Sequence, residues 1–222
     1  MNTAGLMAPR SYTLGQRAKT STATRRRILD AALELYMERG IGATTLTAIA
    51  DRADVARGTV IHHFGTASRL LEETLDELLE RLEVPDERVL DGLVGRDARI
   101  RAFVEAMIAF QERSTPYWTV FEGDMDRPAL KQREATYWAA FERLLAAALG
   151  PELAGDPRAG AVIVSLSHPA TAGTFFWAFE RAGSSREEAR GMIGDLAIDA
   201  VNRITARRQD EPVREGGTGW HH

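Results

Sequence analysis

The 222-residue sequence contains no cysteine, so disulfide bonds, thiolate metal ligands and a cysteine nucleophile are excluded. No apolar run approaches the roughly 18 residues that a membrane-spanning helix requires. The N-terminus lacks the apolar central stretch of a secretory signal. From these absences we expect a cytoplasmic protein that has no membrane partner.

The sequence also lacks the motifs of common catalytic sites. It contains no G-x-S-x-G, no G-x-G-x-x-G, no phosphate-binding loop with lysine and no H-E-x-x-H. His62 and His63 are adjacent, and neighbours on a helix diverge by about 100°, so they are poorly placed to share one metal ion. The sequence therefore predicts no enzyme activity, no metal site and no cofactor.

Charge is distributed unevenly along the chain. Residues 1–71 carry ten cationic and five acidic side chains, a balance of +5, while the whole chain has a net charge of −4. The remainder is therefore strongly acidic. A basic N-terminal part on an acidic body suits a protein that docks one end on a polyanion. The alternative is an uneven spread of solvated charge that has no function.

The hydrophobic periodicity predicts an all-α fold of about nine helices and no sheet. Residues 1–22 and 209–222 lack this periodicity, which predicts a flexible basic arm and a flexible tail. Pro169 is expected to kink the helix that contains it. The predicted helices are 24–39, a short helix after residue 45, 57–63, 68–82, 96–114, 116–122, 128–149, 157–182 and 185–207.

The segment 45–64 has the layout of a helix-turn-helix, which is two short helices joined by a turn of three to four residues. Helices this short need support, which the helices 24–39 and 68–82 can provide. The second short helix begins at Arg57–Gly58–Thr59, where backbone amides and a cation can face phosphate. The apolar residues expected to join the two helices are Ile49, Ala50, Val55, Val60 and Phe64.

Around this motif, residues from about 24 to 82 resemble the TetR family of bacterial transcriptional regulators. The resemblance implies a DNA-binding domain at 23–82 and a helical ligand-binding and dimerisation domain at 83–208. The remaining 140 or so residues resemble the family only in their general helical organisation. The matching positions are Arg39–Gly40, Thr44–Thr45, Ile49–Ala50, Ala53, Val55, Gly58–Thr59–Val60, His63–Phe64 and Leu70–Leu71.

The resemblance also implies which residues contact DNA. Three positions depart from the family pattern. Asp54 stands where the family usually has a turn glycine, Ile61 stands where it has a tyrosine, and Ala67 stands where it has a lysine. Aspartate tolerates the left-handed backbone, whereas the other two changes remove groups that would reach phosphate. Two of the predicted contacts have an alternative role. Thr45 could cap the helix that follows it, and Gly58 could be a glycine for steric reasons alone. The predicted DNA contacts are Thr24, Arg25, Thr45, Thr47, Arg57, Gly58, Thr59, His62 and His63.

For the second domain the resemblance implies a homodimer through residues 157–207, whose two helices would form a four-helix bundle with their copies. The stripe of Ile193, Ala197, Ala200 and Ile204, flanked by Met192 and Leu196, is the expected interface. The alternative is that both helices cover the core of their own monomer.

The resemblance further implies a pocket for a small, mostly apolar effector, and the aromatic density between residues 103 and 141 agrees with it. The alternative is that these aromatic residues are simply core. The predicted lining is Tyr117, Trp118, Phe121, Trp138, His168 and Trp177.

These observations predict a dimeric repressor that leaves a near-palindromic operator when its effector binds. Two alternatives are a helical protein–protein adaptor and a helical enzyme that has no recognisable motif. Retention on a DNA column that falls steeply with salt separates the regulator from the adaptor.

Overall fold

The computed structural model describes the backbone of residues 10–210 and the side chains of residues 18–168 and 172–207. Within this range the chain forms nine α-helices, two short 3-10 helices at Glu87–Leu90 and Glu122–Asp124, and no strand, which confirms the predicted all-α fold. The helices are α1 (Arg10–Arg39), α2 (Leu46–Arg52), α3 (Arg57–Phe64), α4 (Ala67–Leu82), α5 (Arg96–Phe121), α6 (Pro128–Leu149), α7 (Pro157–Ser167), α8 (Pro169–Arg181) and α9 (Arg186–Asp210).

Two prolines have different consequences from those that the sequence predicted. Pro116 lies inside α5, which continues to Phe121 instead of ending at Ser114. Ser114 and Phe121, on either side of the proline, are both buried, and their packing offsets the one backbone hydrogen bond that proline removes. Pro169 does more than kink its helix. It separates α7 from α8, because the residue before it, His168, takes an extended backbone.

The first helix is longer than predicted. It begins at Arg10, so residues 10–22 are helical and the prediction of a flexible arm is wrong for them. Residues 18–23, the part of the extension whose side chains are described, are exposed, so no buried contact explains the helix there. Each residue added to an existing helix gains a backbone hydrogen bond at little further cost. Residues 1–9 of the predicted arm and residues 211–222 of the predicted tail lie outside the described residues.

The internal contacts divide the chain into two compact units. The first comprises the residues up to Arg81 and Pro116–Glu134, and the second comprises Leu82–Thr115 and the residues from Ala135 onward. The predicted boundary at residue 82 is therefore close to the first division, but Pro116–Glu134 joins the N-terminal unit. Arg133 shows why: its guanidinium, 12% exposed, donates to both carboxylate oxygens of Asp76 on α4 at 2.9 and 2.8 Å.

The first unit contains the core of α1–α4. On α1, Ile28, Ala32 and Leu35 are fully buried at the spacing of one helical face. The short helices contribute four of the five apolar residues that the sequence predicted to join them: Ile49, Ala50, Val60 and Phe64 are buried, while Val55 is half-buried. Burial of these side chains supplies the stability that seven- and eight-residue helices lack alone.

In the second unit α9 packs against α7 and α8. Ile193 and Ala197 of α9 are fully buried in this packing, so for these two residues the predicted dimer stripe is wrong and they belong to the core of their own chain. Met192 and Leu196, one position earlier along the helix, are 42% and 38% exposed. The exposed apolar stripe is thus rotated by about 100° from the predicted one.

No helix within residues 10–210 combines the length and the apolar character needed to cross a bilayer.

Candidate nucleic-acid interface

The turn between α2 and α3 has the geometry of a helix-turn-helix. It comprises the four residues between Arg52 and Arg57, and the amide of Val55 donates to the carbonyl of Ala50 at 3.0 Å. Asp54 has a φ of 51°, in the left-handed region. The sequence-based prediction for this aspartate is therefore confirmed: it stands where glycine is easier and accepts a modest strain.

The start of α2 is fixed by a side-chain cap. Thr45 has an extended backbone, and its hydroxyl oxygen accepts a hydrogen bond from the amide of Ala48 at 3.1 Å. Thr45 is therefore a helix cap, as one of its two predicted roles required. The side chains of Thr45 and Thr47 are both exposed. A cap that is also exposed can still contact a partner outside the chain.

The start of α3 has no such cap. Its N-cap residue is Ala56, which offers no side-chain acceptor, so the first amides of the helix have no side-chain partner. Arg57 follows immediately and is exposed, and it forms no ion pair with any side chain that the structure describes. The positive end of the helix dipole and an available guanidinium therefore occupy the same place.

The exposed face of α3 consists of Arg57, Gly58, Ile61 and His62. Thr59 and His63 lie half-buried at its edge, while Val60 and Phe64 on the opposite side enter the core. The pKa of His63 lies below its usual value, mainly because partial burial disfavours the imidazolium and further because of the positive charges of His62 and Arg25. Of the contacts predicted on this helix, Arg57, Gly58 and His62 are thus exposed to solvent.

Gly58 is a glycine that the fold itself does not require. A Cβ built at this position would meet no heavy atom within 4 Å, and its backbone is not in the left-handed region. Within the described residues, therefore, neither packing nor backbone strain accounts for a glycine at this point of a helix.

Arg25 has an internal role that the sequence did not predict. From α1 it forms an ion pair with Glu73 of α4, and its guanidinium carbon lies 5.2 Å from the ring centre of Phe64 on α3. Arg69 donates to the same carboxylate at 2.9 Å. Two guanidinium groups around one carboxylate leave net positive charge beside α3. Thr24, before Arg25 on α1, is half-buried.

The residues predicted to line an effector pocket are divided between the two units. Tyr117, Trp118 and Phe121 belong to the first unit, where Phe121 is fully buried. Trp138, His168 and Trp177 belong to the second and are all exposed, Trp138 by 44% and Trp177 by 62%. Exposed side chains do not enclose a ligand, so these three depart from the prediction. Sequence density of aromatic residues does not show which helix face each occupies.

The phenylalanines of α5 and α6 form part of the core, as the alternative interpretation held. Tyr137 stacks on Phe110 with ring centres 5.3 Å apart, and Phe103 meets Phe141 edge-on at 5.4 Å. Burial raises the pKa of Tyr137 to about 12, so its hydroxyl stays protonated at neutral pH. Among the described residues, no cluster of three or more His, Asp or Glu side chains could hold a metal ion.

The fold and the exposed α3 together define a helix-turn-helix protein. Residues 28–74 match the sequence model of a family described as "Bacterial regulatory proteins, tetR family". The resemblance to the TetR family seen in the sequence is therefore confirmed for these residues.

Curated relatives carry the same kind of description. The "HTH-type transcriptional regulator BetI" of Paraburkholderia phymatum is 33% identical over 113 residues, which cover 49% of this chain and 58% of the relative. The protein of that name from Paraburkholderia xenovorans is 30% identical over the same length. The matched region thus spans less than two thirds of these relatives. Both relatives are described as transcriptional regulators.

Solved structures extend the likeness of fold to most of the chain. A transcriptional regulator from Rhodococcus sp. Rha1 superposes with a TM-score of 0.53 at 19% identity, over 82% of this chain and 96% of that one. A putative transcriptional regulator from Saccharomonospora viridis, solved with choline, gives a TM-score of 0.51 at 19% identity, over 79% and 95% of the two chains. The all-α architecture is therefore shared beyond the N-terminal domain.

Proposed function

We propose that this protein is a sequence-specific DNA-binding transcriptional repressor that acts as a homodimer and leaves its operator when a small molecule binds. The observation that carries the proposal is the start of α3. There a helix N-terminus without a side-chain cap adjoins the exposed Arg57, which has no ion-pair partner among the described residues. Helix N-termini bind phosphate, and an arginine at such a position meets either phosphate or guanine.

Gly58 supports the same conclusion. Glycine inside a helix costs about 0.5–1 kcal/mol relative to alanine, and nothing in the described structure offsets this cost, because a Cβ would meet no atom within 4 Å. A missing side chain at an exposed helix start allows an external backbone to approach closely. We assign this place to a DNA strand in contact with α3.

The distribution of charge fits this orientation. Residues 1–71 have a balance of +5 within a chain of net charge −4. The first part of the chain would therefore be attracted to DNA while the rest is repelled, which favours binding through α3 and its neighbours. Thr24, Thr45, Thr47, Thr59, His62 and His63 remain our proposed contacts around Arg57 and Gly58.

The proposed dimer rests on an exposed apolar surface of the second unit. Leu196, which is 38% exposed, borders a groove of about 310 Å³ between α7 and α9 that also contains Val162 and Ala200. Trp177 on α8 is 62% exposed. Large exposed apolar groups of this kind mark interaction surfaces, and a second copy would bury them. Two recognition helices one DNA turn apart, about 34–36 Å, then require a near-palindromic operator.

Selection of bound duplexes from a random-sequence pool tests this function. The full chain is expected to enrich a near-palindromic site and to bind it with an affinity that falls steeply with salt, since phosphate contacts release counterions. The helical adaptor alternative predicts no enriched sequence and no salt-dependent retention on DNA. Failure to enrich any site at low salt would contradict the proposal.

A further inference from the structure

The second unit contains a cleft that none of the predicted effector residues lines. Its volume is about 440 Å³, within the usual range of about 300–1,000 Å³ for small-molecule sites. One wall is a face of α5 that includes Gln111 and Glu112, and the other is a face of α8 that includes Gly173 and Phe176. Arg186, the first residue of α9, completes the lining.

The α5 wall offers hydrogen-bond acceptors. The side-chain oxygen Oε1 of Gln111 is buried and accepts no hydrogen bond from the residues described. A buried acceptor without a donor is uncommon, because leaving it unpaired costs free energy. Glu112 is next to it on the same wall and brings a negative charge. Such a wall suits a ligand that brings N–H groups and a positive charge.

A cation of the protein itself already occupies the favourable position in this cleft. The guanidinium carbon of Arg186 lies 4.2 Å from the ring centre of Phe176. Two of its nitrogens, Nε and Nη2, donate to Oε1 of Glu112 at 3.1 and 2.9 Å. An aromatic face beside a carboxylate is an arrangement that binds cations. Arg186 therefore shows which ligand chemistry the cleft accepts.

Gly173 keeps the opposite wall open. A Cβ at this position would meet no atom within 4 Å, and the residue is exposed on α8. A larger side chain there would extend into the space that a ligand needs. The cleft therefore combines the hydrogen-bond acceptors of α5, the aromatic face of Phe176 and an opening at Gly173.

We propose that this cleft binds a small planar organic cation of the amidinium or guanidinium type, which displaces Arg186 from Phe176 and Glu112. Arg186 also lies 3.4 Å from Glu180, which gives its displaced guanidinium a second carboxylate outside the lining of the cleft. Displacement thus breaks the pair of Arg186 with Glu112, where the ligand takes its place, and leaves Arg186 paired with Glu180. The freed acceptors of Glu112, with Gln111 Oε1, then receive the N–H groups of the ligand.

An anionic ligand fits the same lining less well. It would face the carboxylate of Glu112 and the unpaired acceptor of Gln111. The positive charges nearby are already engaged, since Arg190 donates to Oε2 of Glu112 at 2.7 Å while Arg186 holds Oε1. A carboxylate would therefore have to compete with Glu112 for these two guanidinium groups. The cation needs to replace Arg186 alone.

This inference rests on the proposed function in one respect, since it assigns a chemical class to the effector of the proposed regulator. Calorimetric titration of the full chain without DNA tests the cleft separately from DNA binding. Benzamidine is the probe, and benzamide and benzoate are its neutral and anionic counterparts. We expect the wild type to bind benzamidine and neither counterpart.

The decisive variant is Arg186→Ala, which removes the internal competitor from an exposed position. It is expected to bind benzamidine at least 10-fold more tightly than the wild type. Gly173→Leu fills the cleft without changing its charge and is expected to abolish binding. Gly191→Leu is the matched control, because a Cβ at Gly191 on α9 also meets nothing within 4 Å and lies outside the cleft lining. This control is expected to bind as the wild type does.

Thermal melting establishes that each variant is folded. If Gly173→Leu does not fold, Glu112→Gln replaces it and is expected to lose binding by removing the negative charge. The proposal is overturned if Arg186→Ala binds benzamidine no more tightly than the wild type, or if benzoate binds in preference to benzamidine. Failure of DNA binding with cation binding intact would contradict the proposed function and leave the cleft assignment standing.

Discussion

The guanidinium of Arg25 lies over the ring of Phe64, 5.2 Å from its centre, and is ion-paired with Glu73. One side chain of α1 thereby contacts the last residue of the recognition helix α3 and the helix α4 that follows it. This contact ties the orientation of α3 to the rest of the N-terminal unit. Arg25 is thus a positioning residue, whether or not it also reaches a phosphate.

Arg25→Ala is expected to lower the free energy of unfolding by about 1 kcal/mol, because it removes a cation–π contact and a partly exposed ion pair. For a chain of this size that corresponds to a fall in Tm of about 2–4 °C. The measurement is thermal melting followed by circular dichroism. Arg26→Ala is the control, since Arg26 is exposed on the same helix. Equal melting temperatures of the two variants would contradict the positioning role.

Gly58→Ala is expected to separate stability from DNA binding. Alanine is the better helix former, so stability should rise by up to about 1 kcal/mol, and no clash opposes the new methyl group. Affinity for the operator should nevertheless fall, because the methyl group occupies the space through which a DNA strand approaches. Melting and anisotropy titrations on the same preparation decide this. An unchanged or higher affinity would show that no strand comes close to residue 58.

The pH dependence of DNA binding follows from His63. Its pKa in the free protein is lowered, chiefly by partial burial. Phosphates near the ring would favour the imidazolium, so DNA binding would raise this pKa and take up protons. Affinity should therefore increase as the pH falls from about 7.5 to about 6. In His63→Gln the affinity should change less over the same range, as titrations at constant ionic strength can show.

The lowered pKa of His63 has the opposite effect on the stability of the free protein, which falls as the pH falls. Because the folded state binds the His63 proton less tightly than the unfolded state, its contribution to stability is lost as the pH falls below about 6.5. Melting of the free protein should therefore show a small decrease over the range in which DNA affinity rises. If affinity is constant with pH in the wild type, His63 does not contact phosphate.

Leu196→Glu is expected to break the proposed dimer. It places a charge in the exposed apolar stripe of α9, where a second copy would have to desolvate it. Light scattering at micromolar concentration should give twice 24.5 kDa for the wild type and 24.5 kDa for the variant. Val94→Glu, at an apolar residue that is 92% exposed elsewhere in the second unit, should remain dimeric. A monomeric wild type would refute the dimer.

The N-terminal part of the fold could be predicted well from the sequence because its signals are local. The cap at Thr45, the left-handed Asp54 and the buried Ile49, Val60 and Phe64 all follow from residue type and spacing over a few positions. The extension of α1 to Arg10 was missed because the sequence of residues 10–22 shows no hydrophobic periodicity.

The second unit was harder to predict because its arrangement depends on contacts between distant residues. Periodicity identified an apolar stripe on α9 but not which side faces inward, and a rotation of one residue moved Ile193 into the core and left Met192 exposed. Likewise, no local pattern brings Glu112 of α5 to Arg186 of α9, which are 74 positions apart. Because that pairing cannot be predicted from the sequence, the cleft could not be predicted either.

On the proposed function, α3 contacts DNA through its N-terminal end. The most direct measurement is a fluorescence anisotropy titration of the selected operator with the wild type and with Arg57→Ala, at several salt concentrations. We expect Arg57→Ala to bind at least 10-fold more weakly, through loss of a contact worth about 1–3 kcal/mol. Arg88→Ala, at an exposed arginine of the second unit, should bind as the wild type does. Equal affinity of the wild type and Arg57→Ala for that operator would show that the start of α3 does not contact DNA.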